Sequence, residues 1–87
     1  MRPGQQQRYH FHLERGDEVL IDVEGRVLPD AQSIEQAALN EARHLISHDV
    51  LEGRIDLGSS IRVVDAANCS MLTIRFADAV TIEGSAQ

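Results

Sequence analysis

The chain reads as an α+β domain: a four-stranded antiparallel sheet in ββαββ order with one long helix packed on one face. Three observations predict it. Tyr9, Phe11 and Leu13 alternate with His10, His12 and Glu14; apolar residues recur at helical spacing from Ile34 to Ile46; and SIRVVD and SMLTIRF alternate again beyond the helix.

The first strand starts at Arg8, with Tyr9, Phe11 and Leu13 facing inward. Gly16 and Asp17 mark a turn, EVLID returns as a second strand, and Val23-Glu24-Gly25 turns the chain again. Two registers compete. A two-residue Gly-Asp loop pairs Phe11 with Asp22 and sets a carboxylate on the buried face; a three-residue loop pairs Leu13 with Val19, Phe11 with Ile21 and His10 with Asp22. The hydrophobic match favours the second. Asp30 after Pro29 is an N-cap candidate, with Ser33 and Gln36 offering a capping box one turn later. Ile34, Ala37, Ala38, Ala42, Leu45 and Ile46 form the apolar stripe, widened by Leu39 and Val50, and Gly53 stops a helix running from about Ala31 to Glu52. In the second hairpin Val63 matches Leu72 and Ile61 matches Ile74, with Asn68 suited to a left-handed position in the connection. DAVTIE is either a fifth strand or a single helical turn.

Eighty-seven residues suffice for one small core. Residues 1–7, with Pro3, Gly4 and three glutamines in a row, read as a disordered tail, 8–82 as the domain and 83–87 as a second tail. With two Phe, one Tyr and no Trp, the core rests on aliphatic residues and little aromatic surface remains for stacking a base. The formal net charge of −6 argues against a nucleic-acid partner. No apolar run approaches the roughly 18 residues of a membrane span, and MRPGQQQR lacks the apolar centre of a signal peptide, which makes the expected location the cytoplasm. A single cysteine, Cys69, forms no internal disulfide and no thiolate zinc site.

RYHFH near the N-terminus, the turns ERGDE and DVEG, LPD before an alanine-rich helix, EGRIDLG after it and the final IRF-DAV together resemble a family of short proteins, common in alphaproteobacteria, recorded only as a domain of unknown function. The resemblance spans roughly Arg8 to Ile82. It implies an α+β domain of bacterial origin and supplies no catalytic residues. Two features depart from the family pattern: the seven-residue leader, and Asn68 where many members have glycine.

All four histidines occur in pairs with ligand-like spacing: His10 with His12 on one side of a strand, and His44 with His48 one helical turn apart. If Tyr9, Phe11 and Leu13 meet the helix, His10 and His12 leave from the opposite face, and the two pairs cannot share an ion. Asp22, opposite His10 in the favoured register, would complete a two-histidine, one-carboxylate metal set; the plainer reading is a solvated His-Asp pair. A hydrolytic triad is not expected, because Ser59, Ser60, Cys69 and Ser70 fall in turns with no histidine nearby in sequence, and there is no glycine-rich phosphate loop, since Gly53 and Gly58 punctuate turns and Gly25 precedes the helix by too many residues.

The expected outer face of the sheet therefore carries His10, His12, Leu20, Asp22, Arg62, Val64, Met71, Thr73 and Arg75, an apolar centre with a cationic flank. The leading expectation is a non-enzymatic interaction module without a cofactor, most simply a homodimer joined by this face or an edge strand. The alternative is a ligand-binding face, taking a transition metal through His10, His12 and Asp22, or an acidic or nucleic-acid partner through Arg62 and Arg75.

Overall fold

The computed structural model describes residues 6–84. Strand β1 (Gln7–Arg15) is the long member of a five-stranded antiparallel sheet, with β2 (Glu18–Leu20), β3 (Arg26–Leu28), β4 (Ser60–Val64) and β5 (Ser70–Arg75). The order is β2-β1-β4-β5, and β3 also pairs with β1. A single long helix, α1 (Ala31–Leu51), joins the halves, and a helical turn, α2 (Phe76–Ala79), follows β5.

The directional expectation for β1 holds. Tyr9 and Phe11 are buried with Ile34, Ala38, Ala42 and Ile46 of α1, with Ile61 and Val63 of β4, and with Phe76 and Ala79 of α2; Leu13 packs at the margin. Ala38 and Ala42 have no exposed surface, since a methyl side chain lets the helix axis lie close to the sheet. Asp30 caps α1 by accepting the Ser33 N–H at 2.7 Å. That hydrogen bond, with one from the Ser33 hydroxyl, holds the Asp30 carboxyl below its usual range. At the other end Gly53 adopts φ 90° and its N–H reaches the Val50 carbonyl at 2.9 Å. Ile61 pairs with Ile74 and Val63 with Leu72 as expected, but the register then shifts by one residue so that Val64 meets Ser70 and Met71 is left unpaired; Asn68 takes φ 67° in the connection. No helix among the described residues is long and apolar enough to cross a membrane.

Three expectations are corrected. The β1–β2 turn has two residues, not three: Leu13 pairs with Leu20, Glu14 with Val19 and Arg15 with Glu18. Gly16 stands first in it at φ 63°. The hydrophobic match could not decide the register because β2 has no buried face; Val19, Leu20 and Ile21 are all largely exposed. Leu20, cross-strand partner of the helix-facing Leu13, consequently lies on the helix side, not on the outer face.

The second correction concerns EVLID, of which only Glu18–Leu20 is strand; the fifth strand is RVL, pairing Gln7 with Leu28, Arg8 with Val27 and Tyr9 with Arg26. Third, FADA within the final segment is the helical turn, with Phe76 fully buried and its N–H on the Ser59 carbonyl at 2.8 Å. The expected N-terminal tail lies largely outside the described residues, although Gln7 is already in β1, and residues 85–87 of the C-terminal tail lie outside them too.

An ionic knot ties the sheet to the helix end. Asp49, 3% exposed on α1, takes Arg15 from the end of β1 and Arg54 from the helix exit, each at 3.1 Å. Arg15 also lies 3.5 Å from Asp56, whose second role is to accept the Ser59 hydroxyl at 2.8 Å. Removing Asp49 would leave Arg15, the more buried of the two guanidinium groups, with Asp56 alone, whereas the exposed Arg54 keeps Glu52 and water.

Candidate functional site

Because β1 buries Tyr9, Phe11 and Leu13 under α1, alternation sends His10 and His12 to the other face, where β4 places Val64 beside His10 and Arg62 beside His12. The two imidazoles lie with centroids 6.3 Å apart and planes inclined by 28°. They are not free. Five residues, 21–25, span the gap between β2 and β3 opposite only three of β1, and this bulge folds back onto the histidines.

The contact is reciprocal. His10 Nδ1 bonds the Asp22 carbonyl at 2.8 Å, and His12 Nδ1 bonds the Asp22 N–H at 3.1 Å. Between them, the Phe11 N–H donates to Asp22 Oδ2 at 2.9 Å, and the Gly25 N–H donates to Asp22 Oδ1 at 3.1 Å. Two side chains of β1 thus bind the backbone of Asp22, while the side chain of Asp22 binds the backbone of β1. The arrangement replaces the ladder bonds lost where the bulge leaves the strand, as buried backbone groups require.

The partners assign the protons. A backbone N–H only donates, so His12 Nδ1 must be the bare acceptor and its proton resides on Nε2; His10 meets a carbonyl and must carry its proton on Nδ1. Burial, followed by the Arg62 charge and the neighbouring His10, holds His12 below its ordinary 6.5, against the opposing pull of Asp22 and Glu14. For Asp22, burial raises the carboxyl pKa, but the Phe11 and Gly25 N–H groups outweigh it and leave the group below its usual 3.8.

Gly25 closes the clasp at φ 70°, and a Cβ there would stand 2.6 Å from the Tyr9 carbonyl oxygen and 3.0 Å from the His10 ring. Glycine is demanded twice, by conformation and by space. On the helix side the same segment is held by Arg26, which bonds Glu41 at 2.6 Å and lies 4.8 Å above the Phe11 ring. Arg8 reaches the Glu24 carbonyl at 2.7 Å.

The expected outer face is therefore partly covered. His12 and Val64, expected at the surface, are 6% and 2% exposed. His10 is half-buried, and its link to Asp22 runs through the backbone carbonyl, not through the carboxylate of a solvated pair. The metal set of His10, His12 and Asp22 has both Nδ1 atoms and both carboxylate oxygens engaged within the chain. Among the described residues no group of three or more His, Cys, Asp or Glu side chains is placed to hold an ion. Arg62 bonds Glu14 at 2.7 Å and Arg75 bonds Asp78 at 3.1 Å, so the cationic flank is neutralised internally. Met71 and Thr73 remain exposed on β5, as expected. His44 and His48 are exposed on α1, and His48 is 4.0 Å from Glu52.

Two hollows flank the bulge. One, of about 340 Å³, lies on the outer face among His10, His12, Val23, Val64 and Asn68. The other, of about 380 Å³, opens toward the helix among Phe11, Leu13, Leu20, Arg26 and Leu45. Sequence reasoning missed Gly25 and the Asp49 knot; the D-x-x-G spacing of Asp22 and Gly25 was the available signal for the first.

Comparison with the curated proteins and with the solved structures gives no match. The model of one family does match, over residues 8–77, and that span runs from the arginine opening RYHFH through β5 into α2, taking in both histidines, Asp22 and Gly25. The chain belongs to that family, described as the domain of unknown function DUF6894.

Proposed function

We propose that the domain is a non-enzymatic interaction module that joins a second copy of itself along β5. The carrying observation is the state of that edge. β5 is the last strand of the sheet, six residues long, and among the described residues nothing pairs with its far side. It holds no proline, and its one charge, Arg75, stands at its end and is paired with Asp78. Leu72 and Ile74 are only half-buried against the core, and Met71 is 50% exposed. An antiparallel copy related by a two-fold axis normal to the sheet would set like faces together, cover the bare flanks of Leu72 and Ile74, and leave both helices on one side.

The non-enzymatic part rests on engaged groups. Ser59 donates to Asp56, and the histidines of β1 are tied to Asp22. The ligand-binding alternative through Arg62 and Arg75 needs charges that the chain already pairs with Glu14 and Asp78.

Light scattering coupled to size exclusion at micromolar concentration tests the proposal. The expected mass is twice the 9.6 kDa of one chain, falling to one chain in Met71→Glu and Thr73→Lys with unchanged circular dichroism. A wild-type protein that elutes as a single chain overturns it. Val64→Glu does not serve, because Val64 is buried and the variant would test folding.

A further inference from the structure

We infer that the clasp on β1 is an acid-opened latch, in which protonation of His12 releases segment 21–25 while β2 and β3 stay paired. The inference does not rest on pairing through β5. It follows from the unlike roles of two adjacent imidazoles. His10 already donates from Nδ1, so a second proton on its ring leaves the bond to the Asp22 carbonyl intact. His12 accepts at Nδ1, and a proton there would point a donor at the Asp22 N–H 3.1 Å away. That hydrogen bond is lost outright, with a buried N–H left facing a cation.

The surroundings decide whether a rotated, charged His12 could be retained. Within β1 its flanking charges are His10 and Glu14; β4 contributes Arg62, directly opposite, and the bulge contributes Asp22. Glu14 would attract the imidazolium, but it is already bonded to Arg62 at 2.7 Å. Both Asp22 oxygens are committed to Phe11 and Gly25. Asp65, on the rim of the outer hollow, accepts the N–H groups of Ala67 and Cys69. Each carboxylate near His12 already accepts from another group, which weakens its hold on an imidazolium, and opening lets water solvate the charged ring. Apolar contact adds little hold on the outer side, where Val23, next to Asp22, is 81% exposed, so the segment rests on its hydrogen bonds.

Amide hydrogen exchange at Asp22 between pH 8 and pH 5, corrected for the intrinsic rate, reads the latch. Opening takes up one proton once the freed ring titrates and the closed one does not. Protection should therefore fall with pH below roughly 6.5, by at most about tenfold per pH unit, levelling off below the closed-state value. The ladder amides of β4 should show no such slope. In His12→Asn the amide oxygen replaces Nδ1 as acceptor without titrating, and Asp22 protection should become independent of pH. Flat protection in the wild type, an equal slope in His12→Asn, or the same slope throughout β4 overturns the latch. Should His12→Asn fail to fold, nitrogen shifts of the wild-type ring at pH 8 decide instead: the Nε2–H tautomer is required, and Nδ1–H sinks the inference.

Discussion

The two sides of the sheet are finished in opposite ways. Beyond β1 the chain lays down two strands of three residues each, broken by a five-residue bulge and sealed by imidazole and carboxylate groups. Beyond β4 it lays down one strand of six residues, with a pairing irregularity only at its start, and stops. Short, interrupted strands are a known protection against edge-to-edge association. Here that protection is extensive on one side and confined to the start and end of β5 on the other. The difference singles out β5 as the side available to a partner, and the His10–Asp22 region as internal structure with a titratable acceptor in it.

The comparison breaks most readily at Gly25. A valine there meets both a positive φ and the Tyr9 carbonyl, and Gly25→Val should lower stability by about 3 kcal/mol in urea unfolding. If it is harmless, the bulge is not held as described. Next comes Asp22→Ala, which orphans the Phe11 and Gly25 N–H groups; the expected loss is about 2 kcal/mol, with self-association through β5 retained. An Asp22→Ala protein that loses association while remaining folded would show the two sides to be coupled.

A smaller effect is expected from pH. His12 is depressed in the folded chain, so on acidification the unfolded chain takes up a proton first, near 6.5. Its share of stability is complete above that value and is lost as pH falls through and below it; Asp22 repeats the pattern lower, below about 3.8. Unfolding midpoints should therefore drop between pH 7.5 and pH 5 in the wild type and drop less in His12→Asn. The smallest change in protomer stability belongs to β5: Met71→Glu and Thr73→Lys should shift it by no more than about 0.5 kcal/mol while abolishing association. A large loss of stability in either would mean that β5 is less exposed than its position implies.

The inward direction of Tyr9 and Phe11, the helix with its Asp30 cap, and the register of β4 with β5 were all legible in the sequence, because each is fixed by a buried periodic face or a local cap. The β1–β2 register was not. It depends on a strand with no buried face, where the glycine-first turn and a side chain standing in for a ladder carbonyl prevail over hydrophobic matching. RVL escaped notice as a strand for a similar reason: three residues carry no period. At the site, the outward direction of His10 and His12 was readable, but their burial was not. Periodicity reports which face a residue occupies and says nothing of a loop that returns from ten positions away to cover it.

The placement of β4 against β1 has a kinetic consequence. Glu14 pairs with Ser60 and His10 with Val64, partners 46 and 54 positions apart, whereas β2 and β3 reach β1 through short connections. The β1–β2 hairpin can assemble early from neighbouring residues, but the apolar side of its first strand stays bare until distant sequence arrives. Such non-local pairing should make folding slower than local hairpin formation, which stopped-flow refolding would check. A ribosome-bound chain truncated before Ser60 would present Tyr9 and Phe11 to whatever binds sticky nascent segments.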